Sequence, residues 1–479
     1  MKSNLKKLID LDYVSKIQKM DFVRTGFHYQ MIVKPEKILD FVTIIKEKDF
    51  NLNLITGFDD DFFKLIYIFS SISKNIKIKV EVEFNNEKIN SIESIFNNAE
   101  HYESDVNEKY GLIFDEKYEI KNNDIDDFML SSNAFENIGT EPFFFDLLTC
   151  GQIVKDILPE KGFHSRFLEN SAKSDDWMTF LVKSSRLDSF SGFFSNHCFC
   201  GVIEKALDIN VPQRAEIIRI IISELSRISF NLNQISLLLK YFGLNAQCSF
   251  FEILEENVLD IIEYVAGKRL TEFFKVGGVS KDIGKDFQTL FHNKTKNLLK
   301  DLDEIRNNGF ICLKLKDFCL ITKDQAHRFG MTGHHLRSTG EPLDIRKNDS
   351  YGLYDLFDFK PAVRTSGDGL DRLHLKVDEI FISYKMIIKA IKIIENGPYL
   401  NNNNNYEIPY GDYFYSVESP RGRLSYYLKG NNSSIPFEVK IETPSIPGFC
   451  YFKNLKGINL SDLPLHIFNL CFSMAEVDK

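Results

Sequence analysis

His197, Cys198 and Cys200 fall within four consecutive positions of this 479-residue chain, and an imidazole beside thiolates is a donor set for zinc or nickel. Ligands so close in sequence complete a site only with others brought from elsewhere. His164 is the one candidate, so no bound metal is expected. The eight cysteines are scattered, and no secretory signal is read at the N-terminus, so reduced thiols are expected. The basic turn Ser419–Arg423 would suit a phosphate, yet no Gly-rich strand-to-helix loop accompanies it, which argues against nucleotide binding. His334 and His335, following Gly333, read as an exposed loop pair.

A second set of residues is ionic. Arg166, Glu169, Asp188, Glu224 and Arg227 lie in an otherwise apolar stretch, where charges are expected to form buried ion pairs between helices. Glu224 and Arg227 are three apart, share one helix face and can pair directly.

The elements that must carry these residues fall into two kinds. Ile76, Ile78, Val80, Val82 and Phe84 alternate with Lys77, Lys79, Glu81 and Glu83, which predicts a half-exposed strand. Leu65, Tyr67 and Phe69 fit a second strand, joined to it as a hairpin through a polar segment with Ser73 and Asn75. Later in the chain, Ile217, Ile221, Leu225, Ile228, Leu232, Ile235 and Leu239 recur at steps of three and four, a long amphipathic helix with Pro212 at its start and Gly243 as its stop. A second stripe follows Gly369, from Leu370 to Ile394, and Gly397-Pro398 closes it. The reading is α+β: a small α+β domain over 1–120, a polar linker over 121–137, and over 138–479 a mainly helical bundle with small flanking β-sheets.

A net charge of −9 argues against nucleic acid as a partner. The most apolar stretch, Ile217 to Leu239, is interrupted by Arg219, Glu224, Arg227 and Asn231, which are costly in lipid. Membrane association is therefore expected through a partner.

Ordered motifs add a resemblance. Val211–Ala215 looks like an "xPxRA" helix entry, Ser223–Arg227 like "xExxR", and Gly277-Gly278-Val279 like "GGV". Leu336–Gly340 with Asp344–Lys347 resembles "LRxSG…DLRK". Tyr354-Asp355, Gly367-Asp368 with Asp371-Arg372, Glu418–Gly422 and the terminal Glu476–Lys479 follow in the same order. From about Gly139 onward the chain resembles the D-type subunit of respiratory complex I. Before it, Ser91–Phe96, Ala99, Tyr102-Glu103 and Tyr110-Gly111 resemble the C-type subunit of the same complex. The same two modules also occur in group 4 [NiFe] hydrogenase large subunits. Those need two CxxC pairs, and here Cys198-Phe199-Cys200 has the wrong spacing while Cys471 stands alone.

The resemblance implies a quinone pocket, and the chain departs from it. The "GPxHP" loop becomes Gly139, Thr140, Glu141 and Pro142 without its His. Ser189 stands after Arg186-Leu187-Asp188 where the family has Tyr, and Gly243 takes the place of an Asp. Arg166, Glu169, Asp188, Glu224 and Arg227 would then be the residues able to tune a quinone or a neighbouring iron–sulfur cluster. The implied setting is a peripheral membrane protein on the cytoplasmic side of a bacterial inner membrane, inside a complex. No cofactor is bound by this chain; FMN, NADH and iron–sulfur clusters reside in partner subunits. An iron–sulfur subunit and a membrane subunit are the neighbours, and quinone is a possible substrate. The other readings are an altered-site subunit of an energy-converting hydrogenase-related complex, or a structural bridging subunit.

Overall fold

A computed structural model describes residues 14–59, 63–71, 73–83, 88–115, 128–131, 142–269, 273–401 and 406–479. The chain divides into two units, Met1–Asp127 with His327–Gly330, and Phe128–Ala326 with Met331–Lys479.

In the first unit β1 (Val14–Lys19), β2 (Tyr29–Val33), β3 (Phe50–Asp59), β4 (Phe63–Ser71) and β5 (Lys77–Glu83) form one sheet in the order β1-β2-β5-β4-β3. β4 and β5 are antiparallel, with Leu65 opposite Val82, Tyr67 opposite Val80 and Phe69 opposite Ile78. β5 also pairs in parallel with β2. The half-exposed reading of β5 is corrected here: Lys77, Lys79 and Glu81 are buried along with Ile78, Val80 and Val82. A strand between two others has no free edge, and Lys79 is tied to Glu81 at 2.8 Å, which lets a charged face lie inside. Phe84 lies outside the described residues.

Helix α1 (Ile38–Glu47) buries Ile38, Phe41, Val42 and Ile45, the helical spacing of one apolar face. The C-type motif proves to be a local lock. Glu103 of α2 (Ala99–Tyr110) accepts from the Ser91 hydroxyl at 2.6 Å and the Ile92 N–H at 2.9 Å, with Phe96, Ala99 and Tyr102 buried around it.

The second unit opens with β6 (Phe128–Ser131), β7 (Phe145–Cys150) and β8 (Ile153–Pro159), a three-stranded sheet centred on β7. β6 falls inside the stretch read as linker, whose polar composition hides the short run that pairs with β7. Then come α3 (Trp177–Ser184), α4 (Gly192–Leu207), α5 (Gln213–Tyr241), α6 (Asn245–Ala266) and α7 (Gly369–Ile393). The stripe residues of α5 are all buried, and so are Arg219, Glu224, Arg227 and Asn231 on its other sides. α7 ends at Ile393, before Gly397-Pro398. A second three-stranded antiparallel sheet, β9 (Gly411–Glu418), β10 (Arg423–Gly430) and β11 (Glu438–Glu442), packs its central strand wholly inside. Among the described residues, no helix is long and apolar enough to cross a membrane.

Candidate functional site

The interior of the second unit is ionic where α5, α7 and the β9–β10 turn meet. Glu224, on α5, receives Arg346 at 3.0 and 3.1 Å, the Tyr354 hydroxyl at 2.7 Å and the Ser383 hydroxyl at 2.5 Å; Arg227, one turn on, lies 3.4 Å away. Arg346 forks onto Asp344 at 2.7 and 3.0 Å, the planar geometry for which Arg is suited. Asp344 also caps the short helix Ile345–Asn348. Arg337 reaches Glu418 at 2.7 Å and also holds Glu379. Arg227 points its other nitrogens at the Glu418 and Ser419 carbonyls, 2.5 and 3.0 Å away.

Three guanidinium groups thus face the four carboxyls of Glu224, Asp344, Glu379 and Glu418. Burial would raise Glu224, but Arg346 and Arg227 overcome it and lower its pKa. Glu418 is raised, by burial and by Asp344 against the pull of Arg337.

A second cluster adjoins the same turn. Arg421 donates to Asp188 at 2.9 Å, Ser191 at 3.3 Å, the Cys471 carbonyl at 3.1 Å and Glu476 at 3.4 Å. Asp188 also accepts from the Ser191 N–H at 2.8 Å and the Ser473 hydroxyl at 2.8 Å. Burial opposes its charge, yet Arg421 and these donors hold its carboxyl at about 2. The turn that reads as basic is therefore internal: Arg421 and Arg423 are buried, the latter on Glu442 at 2.5 Å. Glycine is required here, since a Cβ on Gly422 (φ +143°) would sit 2.5 Å from the Thr332 hydroxyl, and one on Gly333 (φ +60°) 2.5 Å from the Arg421 carbonyl.

That close packing also corrects the exposed-loop reading of His334 and His335. Both are buried on the short helix Gly333–Arg337, and His335 meets the Leu470 carbonyl at 2.9 Å. Burial, with Arg372 and Lys376, holds His335 down at about 3. His197 is buried against Phe274 and Tyr351, whereas the His164 imidazole lies against the Pro142 carbonyl. Among the described residues, no three His, Cys, Asp or Glu side chains come together to hold a metal ion.

The remaining site candidates lie in loops and at element ends. Gly139, Thr140 and Glu141 lie outside the described residues. Pro142 is exposed ahead of β7, Ser189 is exposed in the turn before α4, and Gly243, also exposed, stops α5 at φ +73°. Arg166 is exposed and donates to the Arg186 carbonyl, so the buried ion pair expected of it does not form. Loop residues next to Phe167, which takes φ +51°, are turned outward. Glu169 does pair, though with Lys440 of β11 and with Lys479 at 3.4 Å, and not with another helix. Burial opposes that charge too, but the two lysines and the Ile441 N–H lower it to about 2.

Sequence reasoning missed Arg337, Arg346, Glu379, Glu418, Arg421 and Glu476 as members of the site. The signal was present, since all but Glu379 lie in family motifs, but a motif does not say which charge meets which.

Glu216, at the entrance of α5, gives a pH test. Its carboxyl is raised to about 7, first by burial and then by Glu204, against Arg219 at 3.4 Å. A folded pKa above the unfolded value of about 4.3 means that folding binds a proton, so stability present below about pH 4 is lost as pH rises towards 7. Glu216→Gln is expected to remove up to about 2 kcal/mol of that loss, read as a flatter plot of urea midpoint against pH between 5 and 7.

The sequence comparisons fit both units. The profile of the respiratory-chain NADH dehydrogenase 30 kDa subunit matches residues 31–127, and that of the 49 kDa subunit matches 246–409 and 399–479. The D subunit of NADH-quinone oxidoreductase from Syntrophobacter fumaroxidans is 32% identical, over 69% of this chain and 90% of its own. The C/D subunit of NADH-quinone oxidoreductase from Buchnera aphidicola is 24% identical over 97% of this chain and 92% of its own. The chain belongs to the fused C/D family of NADH-quinone oxidoreductase subunits. The D subunit of F(420)H(2) dehydrogenase from Methanosarcina mazei is 29% identical over 64% of this chain and 85% of its own, so relatives of the D-like part carry names with a different electron donor. Within this family the ionic interior follows the motif order: "xExxR" supplies Glu224 and Arg227, "DLRK" supplies Asp344 and Arg346, and Tyr354 closes on Glu224.

Proposed function

We propose that the chain is a peripheral-arm core subunit of an NADH:quinone oxidoreductase, beside which electrons pass from an iron–sulfur cluster in a neighbouring subunit to quinone at a membrane junction. The observation that carries this reading is the coverage of both units, in order, by one fused relative over 97% of the chain. NADH, FMN and the clusters belong to other subunits in this reading, and the chain sits on the cytoplasmic side of a bacterial inner membrane through a membrane subunit. Its own contribution is a rigid wall. The arginine–carboxylate lattice fixes α5, α7 and the β9–β10 turn, and so the position of the turn around Asp188-Ser189.

A second reading is favoured by the same turn. Ser189 and Gly243 are both exposed and neither brings a long polar side chain, which suits a subunit whose quinone site is altered or whose role is to bridge its neighbours. The two separate in one experiment on the purified complex. NADH-driven quinone reduction that persists within about twofold in Ser189→Ala supports the first reading, with the head group held by other donors. An intact complex that neither turns over nor takes up a photoreactive quinone establishes the second.

A further inference from the structure

One face of the second unit carries cations that the chain itself does not neutralise. Cavities of about 310 and 500 Å³ lie side by side between α7 and the segment 357–364, and share Ile382 and Lys385 in their walls. Lys360, Lys385 and Lys389 line the first together with one carboxylate, Asp358; among the described residues none of the three lysines has a carboxylate partner, and Lys389 donates to the Leu356 carbonyl. In a chain of net charge −9 this is a local reversal of sign. Beyond it, Arg306 and Arg364 converge on Asp378, the latter at 2.5 Å, so the second cavity is not acidic either. The floor is apolar, made by Phe357, Phe359 and Met386.

The backbone along the rim has a property that the side chains do not reveal. Asp358, Phe359, Lys360, Ala362 and Val363 belong to no helix or strand, and their N–H groups make no hydrogen bond within the described chain. Phe357 is extended (ψ 113°), and Pro361 biases Lys360 to the extended region as well. A run of backbone N–H groups without a partner in the chain can be met by an added strand. Since Pro361 has no N–H, the donors for such a ladder are those of Asp358, Lys360 and Ala362.

We infer that this groove docks an extended, carboxylate-bearing segment of a partner polypeptide, which pairs with the 358–362 backbone, sets its acidic side chains on Lys360, Lys385 and Lys389, and lays an apolar side chain on Phe359 and Met386. A segment is favoured over a lipid headgroup because a headgroup would use the lysines and leave the row of backbone donors unmet. Six extended residues span about 20 Å, enough for a specific but small contact. The inference rests on the reading that the chain works within a multisubunit complex.

The test uses that complex. A photoreactive p-benzoylphenylalanine at position 358 is irradiated in the purified assembly, and the adducts are mapped by mass spectrometry. The expected result is one adduct on an acid-rich stretch of a partner subunit, reduced at least tenfold when Lys360→Glu and Lys385→Glu reverse the charge of two exposed side chains. Thermal unfolding of the double variant within a few degrees of the parent assigns that loss to docking. An adduct only to lipid or to a second copy of this chain, an adduct indifferent to the charge reversal, or no adduct in an assembly that still reduces quinone overturns the inference and leaves the proposed function standing. An assembly that contains no partner subunit at all overturns the reading beneath it.

Discussion

Arg346→Met is expected to destabilise the chain by about 3–5 kcal/mol, the loss that follows when one partner is removed from a buried ion pair and the other is stranded. Arg346 sits at 1% exposure between Asp344 and Glu224 and makes five hydrogen bonds to them. One of these comes from its own backbone N–H, which the substitution keeps; the four from the guanidinium are lost. Methionine matches the length of the arginine stem but brings no charge, so both carboxylates would have to take up protons or admit water. Urea unfolding of the purified chain measures the effect. A change under about 1 kcal/mol would mean that the cluster is hydrated and that the lattice does not hold the fold. The triple replacement of Arg346, Asp344 and Glu224 by apolar residues of similar volume is expected to recover much of the loss, because deleting a whole buried network can be close to neutral.

Arg421→Met should cost a similar amount and also reverse a pH dependence. In the parent, Asp188 is held at about 2, below its unfolded value of about 3.9. Its contribution is therefore present above about pH 4 and is lost as pH falls towards 2. Without Arg421 the first cause, burial, acts unopposed by its main partner, and the Asp188 carboxyl rises above its unfolded value. Its contribution is then favourable only in acid and is lost as pH climbs through the new pKa. Unfolding midpoints from pH 3 to 7 should rise in the parent over the lower part of this range and fall in the variant. Parallel curves would show that Arg421 is not the group that charges Asp188.

The parts of this fold that could be read from the sequence are those in which a periodicity has one cause. The α5 stripe from Ile217 to Leu239 marked a helix because every third or fourth residue faces the same neighbours. The pattern could not reveal that Arg219, Glu224 and Arg227 are equally buried, since burial of a charge depends on partners off the helix: Arg346 is 122 residues from Glu224, the Ser419 carbonyl 192 from Arg227, and Glu204 and the Gly278 carbonyl 15 and 59 from Arg219. β5 shows the same limit in a strand: its alternation is real, but the sheet order places it between β2 and β4, where Lys77, Lys79 and Glu81 are buried, and a strand's place in the sheet leaves no local trace. His334 and His335 read as surface because a doublet of polar rings after glycine usually is; Gly333 in fact turns them under the Arg421-Gly422 backbone. The ion partners of Asp188 and Glu169 were beyond reach for a related reason. Both carboxylates were singled out as charges in an apolar region expected to pair between helices, but nothing local says which charge each will meet, and their partners come from the last sixty residues of the chain.

The distance along the chain between those partners sets an order of events. Arg227 meets the Ser419 carbonyl 192 residues later, Arg421 reaches back 233 residues to Asp188, and Ser473 reaches back 285. At a synthesis rate of roughly 5–20 residues per second, the first-made charges wait on the order of tens of seconds for their counterions. During that time the α5 segment has both its apolar face and its charges without their final neighbours, which invites association with the wrong surface. The lattice is thus a closing step: the second unit cannot mature piece by piece from its N-terminal side, and a nascent chain stalled before the β9–β10 turn should depend on a chaperone far more than one released a few dozen residues later.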